Sequence, residues 1–233
     1  MNKINTLSSS LEATLKNSDL QNITISLAET FSDTLLKDGI LKDIPIIGTL
    51  VGLAKGALSL NERLLIKKLL YFISELNDID QEKRDELISR IDNSQKEKIK
   101  VGERLLYIID KSEDHLTAKY IAIIFKSVLK EQISYADFLR CSSIINKIFI
   151  HDLEAFIEED IKDIEKIHRQ NTGLSDFQNS LITAGICATE TENISIRDQD
   201  DYKRNDKYVI EGGNLIIYLT DIGYTLKKAL MTI

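Results

Sequence analysis

His151, Glu154 and Glu158 stand at i, i+3 and i+7, which places them on one face of a helix, with Asp152 and Glu159 beside them. An imidazole and two carboxylates in that arrangement have the donor types of a metal site. A helical two-metal centre also needs matching Glu and Glu-x-x-His sets on facing helices. The favoured reading is therefore a solvated acidic face, and no metal or other cofactor is expected.

The nucleophile candidates read similarly. Cys141, in Leu139-Arg140-Cys141-Ser142, and Cys187 have no histidine near them in sequence, so both read as small buried hydrophobes. Two cysteines make no disulfide framework, and a reducing cytoplasm is the expected compartment. Ser8-Ser9-Ser10 resembles a cap or a lead segment, and no Gly-x-Ser-x-Gly elbow occurs. Around Lys130–Phe138 the oxygen-rich calcium loop is missing. No enzyme activity is expected.

The sharpest local pattern is Gly48, Gly52 and Gly56, spaced by four within a tract apolar nearly all round: Ile46, Ile47, Leu50, Val51 and Leu53. If the helix runs from about 45 to 58, all three glycines lie near one face. Successive positions then drift by about 40°. A strip without side chains lets another backbone approach closely, as in packed membrane helices. Each interior glycine costs about 1 kcal/mol relative to alanine, so three together call for a compensating contact. Even if all seventeen residues from 44 to 60 were helical they would rise about 25 Å, short of a hydrocarbon core of about 30 Å. The expectation is a tightly packed core helix, with membrane insertion or self-association as the functional alternative. A phosphate loop is excluded, because no lysine directly follows the last glycine.

The surrounding elements read as helices. Leu11, Leu15, Leu20, Ile23, Leu27, Phe31 and Leu35 recur at helical spacing through 8–38, and Gly39 suits a stop. Pro45 fits a first helical turn. Ser59-Leu60-Asn61-Glu62 has the form of a capping box, so the tract after Pro45 is either interrupted there or continuous. Asp80, Ser112 and Ser134 are candidate caps for three further helices, and 151–169 reads as one acidic amphipathic helix. Short connections fit antiparallel neighbours. The 233 residues are 43% hydrophobic and 29% charged, proportions of a folded chain with its own core. Met1–Ser10 lacks a signal peptide's basic and apolar regions, and no uncharged apolar run reaches eighteen residues.

The last sixty residues change character. A helix at 175–188 is followed by a polar stretch, 189–207. A hairpin is then expected from Tyr208-Val209-Ile210, a turn at 211–214, and Leu215–Tyr218. Thr220 can cap a closing helix. The phrase Leu219-Thr220-x-x-Gly223-x-x-Leu226 after a hairpin resembles the end of a winged-helix domain. The fold class expected is mainly α: a multi-helix bundle over 1–170, then a small winged-helix-like α+β region over 171–233 with one β-hairpin. The resemblance raises DNA reading, which needs basic residues on the recognition helix. None lies between 174 and 190, which offers Gln178, Asn179, Ser180 and Thr183. The wing basics Arg197, Lys203, Arg204 and Lys207 are interleaved with Asp198, Asp200, Asp201, Asp206 and Glu211. Net charge is −7 with a pI near 5.1. Residues 1–60, 61–170 and 171–233 hold 5, 19 and 6 basic against 6, 22 and 9 acidic groups, so no third has a basic excess. Nucleic acid is not the expected partner.

The runs Asp38–Ile47, Glu62–Leu69 and Ile133–Arg140, read with the closing Leu-Thr-x-x-Gly helix, resemble small bacterial helical proteins of the abortive-infection or phage-defence kind. The resemblance spans about 30–150 and 215–230 and supplies no catalytic residues. It implies a non-enzymatic defence protein acting through the apolar helix, with Gly48, Gly52, Gly56, Ile46, Ile47, Leu50 and Leu53 as the interacting set. The partner would be a protein, a second copy or, conditionally, the inner membrane. The alternative is an adaptor or immunity-like module that docks a basic partner through Glu154, Glu158 and Glu159 or through Lys203 and Arg204.

Overall fold

The computed structural model describes residues 3–17, 20, 40–54, 56–94, 97–165, 167–168, 173–198 and 208–231. The chain forms two compact units, Met1–Asn146 with Ala229–Ile233, and Lys147–Lys228. The first boundary thus falls some two dozen residues before the one read from the change in composition. The protein is mainly α, with a small α+β region near the C-terminus, as expected.

In the first unit, α1 (Lys3–Leu15) buries Leu7, Leu11 and Leu15, and a 3-10 turn at Ile40–Asp43 leads into α2 (Pro45–Leu53). Then follow α3 (Leu60–Ser74), α4 (Gln81–Asp92), α5 (Val101–Lys111), α6 (His115–Leu129) and α7 (Tyr135–Ile145). Helix α3 lies along α6, α1 along both α2 and α5, and α7 along α6. Phe72, Phe125 and Phe138 link α3, α6 and α7 in a fully buried row, with ring centroids 6.0 and 5.2 Å apart. Arg84 lies wholly buried beneath α1. Its Nε donates to the Leu15 carbonyl and one Nη to that of Asn17, both at 2.7 Å, and its other Nη to Ile79. The first two bonds satisfy carbonyls that the end of α1 would otherwise leave open.

Several helix starts follow the local chemistry. Ser59 and Glu62 form the expected capping box, and the Ser134 hydroxyl accepts from the Asp137 amide. Ser112 differs: it ends α5, and the side chain of Asp114 caps α6 by accepting from Thr117. The 45–58 helix is also shorter than expected. It stops at Leu53, where Ala54 turns extended, and the tract is broken before the Ser59 box.

In the second unit, α8 (Ile150–Glu158), the single turn α9 (Ile161–Ile164) and β1 (Ile167–His168) replace the continuous 151–169 helix. Glu158, Glu159 and Asp160 would crowd three negative charges onto the negative end of a helix. Glu159 is instead extended, and Asp160 caps α9 by accepting from the Lys162 amide. Next come α10 (Asp176–Ala184), β2 (Cys187–Thr191), β3 (Ser195–Asp198), β4 (Tyr208–Glu211), β5 (Leu215–Leu219) and α11 (Asp221–Leu230).

The strands pair differently from the expected hairpin. Tyr208–Ile210 and Leu215–Tyr218 are not partners. Strand β5 pairs antiparallel with β2 (Cys187 opposite Leu219, Thr191 opposite Leu215) and with β1, in the order β1-β5-β2. Strand β4 pairs with β3, Ile210 opposite Ile196. The two ladders form one long hairpin, interrupted where Gly212 and Gly213 take φ of 87° and 76°. A Cβ on Gly212 would stand 2.0 Å from the Asn193 carbonyl oxygen, so only glycine passes this crossing. The Glu192 and Asn214 backbones bond across it, and the Asn214 amide donates to the Glu192 carboxylate at 2.6 Å.

The Leu-Thr-x-x-Gly phrase has a mechanical explanation. The Thr220 amide donates to the Ile186 carbonyl, while its hydroxyl accepts from the Gly223 amide and so caps α11. Gly223 lies against the same carbonyl: a Cβ there would come within 2.2 Å of the Ile186 oxygen. Glycine is the residue that lets α11 close on the end of α10.

Candidate functional site

The glycine series does not form a helical ladder. Gly48 and Gly52 lie in α2, whereas Gly56 is beyond its end with φ of 120°. Gly48 is packed under its own chain, its absent Cβ 2.5 Å from the Lys42 carbonyl oxygen, while a Cβ on Gly52 or Gly56 would meet nothing within 4 Å. Ile46, Ile47 and Leu50 are buried, and Leu53 is 37% exposed. Two hydroxyls tie this helix to α1: Thr14 accepts from the Ile46 amide, and Ser10 bonds Thr49 at 2.7 Å. The close helix approach occurs instead at Gly102 of α5, where a Cβ would lie 2.6 Å from the Ser8 carbonyl oxygen of α1. An isolated Gly102 carried no periodic signal.

On α8, Glu154 is half-buried and its carboxylate lies 3.3 Å from His151 Nδ1, while Glu158 and Glu159 are exposed. Among the described residues, no group of three His, Cys, Asp or Glu side chains is placed to hold a metal ion. Glu165 and His168 do have Glu-x-x-His spacing, but the chain has left the helix there. The Glu165 carboxylate accepts from the Leu219 amide at 3.1 Å and from the Tyr224 hydroxyl at 2.7 Å, joining β5 to α11. That acceptor bond raises the Tyr224 pKa. Both cysteines are buried, and burial pushes Cys141 to about 12 and Cys187 to about 11. Such thiols are poor nucleophiles at neutral pH.

On α10, the Gln178 side chain accepts from the Ser175 amide in a capping box, so it is already engaged in the fold. Lys203 and Arg204 lie outside the described residues. What the β3–β4 ribbon does present is an apolar face. Along β3 and β4, side chains alternate between two faces. Ser195, Arg197 and Glu211 share one, with Arg197 and Glu211 in a 2.7 Å ion pair. The other carries Ile196 opposite Ile210, with Tyr208 two residues along and Ile194 at its foot. Ile196 is 70% exposed and Ile210 63%, and Ile194 and Tyr208 are similarly open. Among the described residues, acidic side chains border this ribbon: Asp198 opposite Tyr208, and Glu190 and Glu192 at its base. The alternation Ile194-Ser195-Ile196-Arg197 was the available signal, obscured by the polar residues on either side.

No protein-family model, no curated protein and no solved structure matches the chain.

Proposed function

We propose that the protein is an interaction module whose second unit docks a basic protein partner through the β3–β4 ribbon. The observation that carries this reading is the paired exposure of Ile196 and Ile210 on an acidic unit. Between 147 and 228 there are ten basic and sixteen acidic residues, so six of the seven net negative charges fall there. One of its lysines, Lys227, is buried, which lowers the positive charge at the surface further. Exposed contiguous apolar side chains with a polar rim mark interaction sites. An acidic rim favours a basic partner and disfavours a second copy or nucleic acid, since like charges repel. The exposed Glu158 and Glu159 add to the negative charge of the same unit, so this is the adaptor alternative with the apolar ribbon as its anchor. A defence protein of the abortive-infection kind would need such a module to sense or recruit another protein.

The test is selection of a displayed random-peptide library against the whole chain. The expected result is enrichment of sequences combining Lys or Arg with aliphatic residues, lost against an Ile196→Asp/Ile210→Asp chain that keeps its helical circular dichroism. Acidic winners, or winners that bind the double variant equally, overturn the reading.

The membrane or self-association role first expected of the glycine series has weaker support, because Ile46, Ile47 and Leu50 are committed to the core and Gly52 touches nothing. No described helix is long and apolar enough to cross a membrane.

A further inference from the structure

The corner joining α2 to α3 combines three features. From Ile44 to Asn61 the only charged residue is Lys55. Ile46, Ile47 and Leu50 are buried, but the leucines at the corner are turned outward: Leu60 is 71% exposed and Leu64, one turn on along α3, 50%, with Leu53 closing α2 beside open space at Gly52. The backbone at both ends is satisfied internally. The Ala54 amide bonds Leu50 and Val51, the Ser59 amide bonds the Glu62 carboxylate, and Arg63 Nε donates to the Leu58 carbonyl. A segment with its terminal amides already bonded enters a low-dielectric interface at less cost. The charge is also reversed here relative to the whole. Residues 44–74 hold Lys55, Arg63, Lys67 and Lys68 against Glu62 alone, in a chain of net −7; of these Lys55 lies outside the described residues, Lys68 donates to the Asp110 and Ser112 carbonyls, and the Lys3 ammonium lies 3.7 Å from the Glu62 carboxylate.

We infer that this corner is a docking site for an anionic phospholipid surface, with Leu53, Leu60 and Leu64 entering the headgroup–acyl boundary and Arg63 and Lys67 supplying positive charge beside them. Apolar side chains on a short exposed corner, bordered by lysine and arginine, are the chemistry of interfacial rather than spanning attachment. The nine residues of α2 rise about 14 Å, half a hydrocarbon core, so the contact is peripheral. This site is separate from the ribbon of the second unit and uses lipid rather than protein.

The experiment is flotation and titration of the whole chain with vesicles of phosphatidylglycerol and of phosphatidylcholine. Binding to the anionic vesicles is expected, and Leu60→Glu/Leu64→Glu should weaken it about tenfold or more while leaving thermal unfolding unchanged, since both side chains are solvent-facing. Gly52→Leu, which adds an apolar side chain into open space, should hold or strengthen binding, and Ile196→Asp/Ile210→Asp should leave it unchanged. Absence of binding to both vesicles overturns the inference, as does equal binding by the Leu60/Leu64 variant. Equal affinity for phosphatidylcholine overturns the anionic assignment.

Discussion

The ammonium of Lys227 lies 2.7 Å from the carbonyl oxygen of Glu159, and the same group donates to Phe156 at 2.5 Å and to Ile157 at 3.3 Å while standing over the Phe156 ring. A lysine from α11 thus supplies the donors that the last turn of α8 lacks, at the helix end where a cation is favoured. Three consecutive acids at that helix end interrupt α8, and Lys227 holds the interrupted backbone in place.

Replacing Lys227 by Met should destabilise the second unit by about 2 kcal/mol, because three carbonyls lose a charged donor in a buried setting. Urea unfolding followed by Tyr fluorescence and by hydrogen exchange at α8 checks this. A variant as stable as the wild type would mean that water replaces the ammonium at no cost.

Two glycine substitutions should act in opposite directions. Gly52→Ala adds a methyl to open space within a helix and should raise stability by up to about 1 kcal/mol. Gly223→Ala drives a Cβ toward the Ile186 carbonyl and should lower stability by about 2 kcal/mol or more, opening the α10–α11 junction. Thermal melts of the pair give the comparison directly.

His115 begins α6 with its ring 4.5 Å from that of Tyr71, and burial, then the Lys67 charge, lower its pKa from 6.5. In the folded chain it therefore binds its proton less readily than in the unfolded chain. Its contribution is fully present above 6.5 and is lost as pH falls through that value toward the lowered one. Stability measured at pH 7.5 and 5.5 should fall more for the wild type than for His115→Phe. An equal fall in both would assign the acid sensitivity to other groups.

Neither thiol should react with an aromatic disulfide reagent at pH 8 in the folded chain, and both should react on unfolding. Burial holds Cys141 and Cys187 far above that pH. Rapid native labelling of Cys187 would show that β2 opens locally.

What was legible in the sequence was mostly local. Ser59, Ser134 and Thr220 were recognisable as caps because a cap bonds an amide two or three residues away. Apolar periodicity marked α1, α3, α6 and α7 for the same reason. Arg84, Gly102 and Lys227 left no comparable trace, since each serves backbone groups supplied by another part of the chain. The hairpin was misread because Glu211-Gly212-Gly213-Asn214 has the composition of a reversal, whereas its positive φ angles carry the strand past a crossing. Of the candidate site residues, Gly48 and Gly52 lie in α2 and Gly56 beyond its end, so the spacing of four marks no continuous helix face. The break after Leu53 depends on where α2 stops, which the glycine spacing does not reveal.

The first unit draws Ala229 and Leu230, both buried, from beyond the second. A ribosome must therefore translate the whole 147–228 segment before the earlier unit has all of its core residues. The later-made unit is complete in sequence first, and truncation just after Lys228 would leave a gap in the earlier-made one.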